Sequence, residues 1–368
     1  MQKNQIQNRM YGREGLEDIL FLIIYGGAAI LSLAACFYLL FRRKNVIAPH
    51  VESSKTLRRW TATFFAFVSL SHVWWYAIGN LWLTDDMQLR NIFTITLDRI
   101  TLVPFAIAVL LRMLQDKERA LWPWFVAHIP ILLAAVLGVV KHDYSVQTVI
   151  RLWQIGILVV FAIYYWFAVI QYGHWLNENY ADLQNKEVWQ SLAIAFSLFA
   201  LYSIYSSNMG QLVLEYLSQV DTFLVIGFFL WRVETLQTLG EKTETSEPDS
   251  PRVAFTLPDN IGVLLTRFCE EEQLYLQYDL NLRQLATAIG TNRTYLSTYF
   301  STRGETYNAY INRLRIEHFI RLFHENPSAT AQELSLESGY GSYSTFSSAF
   351  KKITGSSVRA WMQSQNKL

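Results

Sequence analysis

The sequence predicts an all-α protein made of two unlike parts, a seven-transmembrane helix bundle followed by a smaller, polar helical domain. Two observations carry this. Up to Trp231 long apolar runs alternate with short polar ones, and after it no apolar run is long enough to cross a bilayer. From about Asn281 the apolar residues instead recur at helical spacing around glycine turns. At 368 residues the chain has room for two or three domains, and its net charge of +1 merely averages the two parts. The 12 Trp and 20 Tyr suit a chain whose amphipathic rings settle at membrane–water interfaces.

A hydrocarbon core about 30 Å thick takes roughly 20 apolar residues as helix, because unpaired backbone cannot sit in lipid. Seven runs meet or approach that length: Ile19–Phe41, Trp60–Leu83, Asn91–Leu111, Ala120–Val140, Leu152–Leu176, Val188–Tyr205 and Gln211–Trp231. Five hold no Asp, Glu, Lys or Arg; the third holds Asp98 and Arg99, and the seventh Glu215 and Asp221. The first run is too long for a signal peptide and is followed by Arg42, Arg43 and Lys44 rather than a small-residue cleavage site. Cys36 lies in an apolar run and Cys269 in the polar part, which does not suggest a disulfide framework.

Seven crossings put the termini on opposite sides, and basic residues in the short loops set the direction. The loops after the first, third and fifth runs hold Arg42, Arg43, Lys44, Lys55, Arg58, Arg59, Arg112, Lys117, Arg119 and Lys186. The opposite loops hold Arg90, Lys141 and Arg151, to which the N-terminal tail adds Lys3, Arg9 and Arg13. The C-terminal part is therefore expected on the cytoplasmic side.

Polar groups inside spans are expensive, which makes Asp98, Arg99, Asp221 and His72 candidates for an intramembrane signal site. Helix–helix packing, or an interfacial belt of His72 with Trp74 and Trp75, explains the same residues without a ligand. His128, between Pro123 and Pro130, is equally open. No spacing points to a metal site, a proton relay, a cofactor or catalysis.

Residues 1–18 read as a tail, 19–239 as the membrane domain, 240–257 as a flexible linker and 258–368 as the C-terminal domain. The linker is rich in Glu, Thr, Ser and Pro. Just before it, Val233, Leu236 and Leu239 form a short stripe that would suit a homodimer contact.

In the C-terminal domain one pattern occurs twice. Asn281 can cap a helix from Leu282 to Ile289, Ala286 is small where a second helix must cross, and Gly290 supplies the positive φ of a tight turn. Asn292 can cap the next helix, with Tyr295, Leu296 and Phe300 inward. The second copy uses Leu334, Ser335, Gly339, Phe346 and Phe350, and an amphipathic helix from Thr306 to Phe323 lies between the copies. This is helix-turn-helix spacing, over 282–301 and 331–350.

From about Asp259 to Trp361 the chain resembles the DNA-binding domain of the AraC/XylS family of bacterial transcription regulators. The resemblance rests on Leu280, Leu285, Ala286, Tyr295, Leu296, Ser297, Phe300, Arg315 and Ile316, then Gly339, Tyr340, Ser344, Phe346, Phe350, Lys351, Lys352, Gly355 and Trp361. It does not extend to the membrane part. It implies seven helices, with two recognition helices entering adjacent major-groove segments of double-stranded DNA. By position, base-facing candidates are Arg293, Thr294, Ser297 and Thr298, then Tyr343, Ser344, Ser347 and Ser348, while Lys351 and Lys352 suit phosphates. Ser348 and Thr298 stand where Arg is frequent, Ser301 where Lys is common and Val358 where Pro is, which lowers expected phosphate affinity. From Asn281 onward ten Lys and Arg face five Asp and Glu, enough for DNA binding with moderate salt dependence.

Together these readings imply a regulator in the bacterial inner membrane, embedded in the lipid bilayer, with a promoter-binding domain in the cytoplasm. Its signal would come from a small molecule or a membrane protein partner. The rival readings make the membrane half a transporter-like domain or a plain anchor.

Overall fold

The computed structural model describes residues 19–42, 44–81, 86–207, 212–239 and 261–365, and the expected tail and linker lie outside them. All regular structure among these residues is helical. The chain divides into two compact units, one of Met1–Ile170 with Val188–Gly240, the other of Gln171–Glu187 with Glu241–Leu368.

Each expected apolar run overlaps helix among the described residues, and the fifth runs on into the second unit after Ile170. The helices are α1 (Ile19–Phe41), α2 (Lys55–Leu81), α3 (Met87–Met113), α4 (Trp122–Val126), α5 (Ile129–Lys141), α6 (Val146–Asn179, leaving this unit after Ile170), α7 (Trp189–Ser207) and α8 (Leu212–Thr235). Four helical stretches are long and apolar enough to cross a membrane: α1, residues Asn91–Met113 of α3, Trp122–Lys141 and α6. The fourth run is split at Ala127 and His128, because Pro130 has no N–H to return to Val126. His128 is buried, and its Nδ1 lies 2.7 Å from the Trp124 carbonyl. Helices α1, α2 and α3 pack in sequence order, and α8 returns to α1 and α2.

One end of this unit is tied by a polar network. The Glu234 carboxylate accepts from the Tyr38 hydroxyl and from the backbone N–H groups of Val46 (3.0 Å) and Ile47 (2.7 Å). Asn45 Nδ2 donates to the carbonyls of Val51 and Glu234, and buried Arg58 donates to Asn45 Oδ1 and to the Arg42 carbonyl. The loop after α1 is thereby fixed to the end of α8. The stripe expected to make a homodimer contact is used up here. Val233, Leu236 and Leu239 are buried within the unit, and Gln115 holds the non-helical residues after α8 through Gln237 O and Leu239 N. With these three side chains covered, the stripe itself has no free face to offer a partner.

The second unit has two cores joined by one helix. Its helices are α9 (Ile261–Leu265, running on as a π turn to Glu271), α10 (Leu282–Ala288), α11 (Arg293–Thr302), α12 (Tyr307–Glu325), α13 (Ala331–Glu337), α14 (Tyr343–Thr354) and α15 (Val358–Gln365). The first core holds Leu285, Ala286, Leu296 and Phe300, the second Leu334, Phe346 and Phe350. Helix α12 serves both, with Tyr307, Ile311 and Leu314 in the first and Ile316, Phe319 and Phe323 in the second. Arg315 lies between them, fully buried, donating to the carbonyls of Tyr275 (2.7 Å) and Gln277 (2.9 Å) and stacked over the Tyr340 ring.

The caps follow the sequence. Asn281 accepts from Gln284 N in a capping box, Asn292 from Tyr295 N and Thr306 from Ala309 N. Thr330 with Glu333 forms a second capping box that the sequence reading missed. Gly290 and Gly339 turn the chain at φ 72° and 84°.

Candidate functional site

The expected DNA-reading residues lie on α11 and α14 and start at capped N-termini, where free backbone N–H groups favour an anion. On α11, Arg293 and Thr294 occupy the first turn and are exposed, Ser297 is half-buried and Thr298 exposed. On α14, Tyr343, Ser344 and Ser348 are exposed and Ser347 half-buried, and Lys351 and Lys352 project from the last turn. The hydroxyls of Thr298 and Ser348 donate to Thr294 O (2.9 Å) and Ser344 O (3.0 Å), so toward a base each offers an acceptor. Leu296 and Phe300, and Phe346 and Phe350, hold the two helices by their opposite faces.

The loop after the fifth apolar run belongs to this unit. Residues 179–186, from the end of α6, dock on α10, α11, α12 and α14. Arg293 Nε donates to Asn179 Oδ1 at 2.7 Å. Asn308 and Asn312 both donate to the Ala181 carbonyl, at 2.8 and 3.0 Å, and Ala181 sits in the first core. Lys186, only 1% exposed along its side chain, pairs with Asp279 at 2.8 Å. Gln184 Oε1 accepts from the hydroxyls of Ser342 and Thr345. A signal was present in the sequence. Asn308 and Asn312, one turn apart on the buried side of an amphipathic helix, need partners that the domain's own apolar residues cannot supply.

In the first unit, His72, Asp98 and Asp221 line one cavity of about 210 Å³, and Arg99, though buried, does not. Asp98 accepts from Ser71 Oγ (2.6 Å), Trp74 Nε1 (3.1 Å) and Trp75 Nε1 (2.7 Å). The His72 ring donates from Nδ1 to the Val68 carbonyl (2.8 Å) and meets the Gln219 amide through Nε2 (3.0 Å). Gln219 and Ser71 were not among the expected site residues, being uncharged and invisible to a search for expensive groups.

A family model described as a helix-turn-helix domain matches residues 285–364. No curated protein and no solved structure matches the chain. The match covers α11 to α14 with most of α10 and α15, and it supports a DNA-binding regulatory domain of the AraC type in the C-terminal region.

Proposed function

We propose that this chain is a membrane-embedded, sequence-specific transcription regulator that couples a membrane or envelope signal to promoter binding. The observation that carries it is an inverted solvent pattern on the same chain as the DNA-binding domain. In the first unit Ile30, Val140 and Phe167 are 71%, 72% and 64% exposed, while Arg58, His72, Arg99 and Gln154 are buried. Water would reverse that arrangement, and lipid favours it. The seven apolar runs are read as seven crossings, with the C-terminal domain in the cytoplasm of a bacterial cell. The two glycine-turn helix pairs act as paired helix-turn-helix motifs. Arg293 is the principal base reader, Thr294, Ser297, Thr298, Tyr343, Ser344, Ser347 and Ser348 assist it, and Lys351 and Lys352 grip phosphates. His72, Asp98 and Asp221 form the signal site.

Chromatin immunoprecipitation of the full-length protein tests this, with Arg293→Ala beside it. Discrete loci enriched by the unsubstituted protein and lost in the variant are expected; no enriched locus for either removes the DNA-binding reading. Reporter fusions at Gly240 check the orientation, and a periplasmic signal there reverses it.

A further inference from the structure

The cavity of the first unit brings together three carboxyl groups, Asp98, Glu215 and Asp221, against the rings of Trp75, Phe199 and Phe228, with no Lys or Arg among its described lining residues. Asp98 is served by three donors. Asp221 is placed differently: half-buried, it lines the cavity, and its Oδ1, covered by neighbouring atoms as it stands, accepts no hydrogen bond among the described residues. A carboxylate in such a place is held either by a proton of its own or by a counter-charge with an N–H donor, and after a small turn of the Asp221 side chain a ligand ammonium supplies the second. Aromatic faces add attraction for the same cation. A neutral apolar ligand would leave the Asp221 oxygen as it stands.

We propose that this cavity binds a small organic cation, a primary or secondary ammonium on an apolar or aromatic body, with Asp221 as its counter-ion. A volume of about 210 Å³ is below the ~300–1,000 Å³ of sites for drug-sized ligands, which restricts the body to one ring or a short chain. The site deepens the signal-receiving part of the function proposed above.

The full-length protein in lipid nanodiscs is titrated at neutral pH with 2-phenylethylamine and with 2-phenylethanol, its uncharged analogue. Calorimetry gives the affinities. Saturable binding of the amine, at least tenfold tighter than the alcohol, is expected, with the preference abolished in Asp221→Asn. Equal binding of the two compounds, no binding of the amine, or an unchanged preference in the variant overturns the proposal. The comparison on the unsubstituted protein decides the matter if the variant does not fold. Failure here leaves the DNA-binding reading intact, since chromatin occupancy measures that separately.

A second inference rests on separate contacts, all within the other unit. We infer that residues 179–186 are a latch on the DNA-reading face. Asn179 holds Arg293, the first residue of α11, and Gln184 holds Ser342, the cap of α14, together with Thr345. One short segment thus ties the N-terminal ends of both reading helices. A duplex that receives both ends must displace the side chains of Asn179 and Gln184. The segment's own anchors, Ala181 under Asn308 and Asn312 and Lys186 on Asp279, lie away from those ends and keep it in register.

Two measurements test the latch. In chromatin immunoprecipitation, Asn179→Ala with Gln184→Ala should raise occupancy several-fold over the unsubstituted protein at equal membrane abundance; unchanged or reduced occupancy overturns the inference. Gln184→Cys with Thr345→Cys should be joined by a short bis-maleimide in intact membranes, since the two side chains meet at their tips, and absence of that crosslink also overturns it. Because the crosslink needs no operator, it tests docking even where no locus is enriched.

Discussion

Arg293 Nε donates a 2.7 Å hydrogen bond to Asn179 Oδ1, so the best candidate base reader begins its helix already engaged. A guanidinium offers five N–H donors, and guanine takes two of them. The contact therefore withholds part of the fork rather than destroying it. Arg293→Ala is expected to weaken occupancy of preferred sites by about 1–3 kcal/mol, or roughly 5- to 150-fold, and to relax sequence preference at one position. Footprinting or occupancy profiles of the variant measure both effects.

The two turn glycines differ in what surrounds them. A Cβ on Gly339 would stand 2.8 Å from the backbone of Leu276, at φ 84°, whereas Gly290 has open space at φ 72°. Gly290→Ala should cost only its backbone strain, about 1–2 kcal/mol. Gly339→Ala adds a backbone clash and should cost clearly more, lowering the thermal midpoint further. Pulse proteolysis of both variants orders them.

Arg315 joins the two halves of the DNA-binding domain through the carbonyls of Tyr275 and Gln277. Burial draws its guanidinium below the ordinary value, yet it stays charged. Arg315→Met keeps the length and strands the buried Tyr275 carbonyl, at about 1–3 kcal/mol, while the Gln277 carbonyl keeps Leu280 N at 3.4 Å. Faster hydrogen exchange in α12 and in residues 274–277 is the expected sign.

Cys269 is fully buried, and burial pushes its thiol up to about 12. The folded chain keeps a proton that an unfolded thiol, near 8.5, gives up. The folded state thus binds more protons between those values, and stability falls as pH rises above about 8.5. Iodoacetamide at pH 8 should leave Cys269 unlabelled until the domain is unfolded; rapid labelling of the folded protein would contradict this burial.

Much of the second unit was legible residue by residue. The caps at Asn281 and Asn292, the turns at Gly290 and Gly339, and the inward Leu296, Phe300, Phe346 and Phe350 depend on local backbone rules and on helical periodicity. The apolar runs announced helices for a related reason, since a stretch such as Ile19–Phe41 has the length and composition of a membrane-crossing helix. Tertiary structure decided the rest. It covered Val233, Leu236 and Leu239, which spacing offered to a partner, because packing at the end of α8 depends on loops distant in sequence. It brought His72, Asp98 and Asp221 around one cavity and left Arg99 out, because adjacent helix residues point about 100° apart and only one faces the lumen. It also carried Asn179 to Arg293, 114 residues away. Periodicity describes which face of a helix is buried, but the partner of that face is set by the fold.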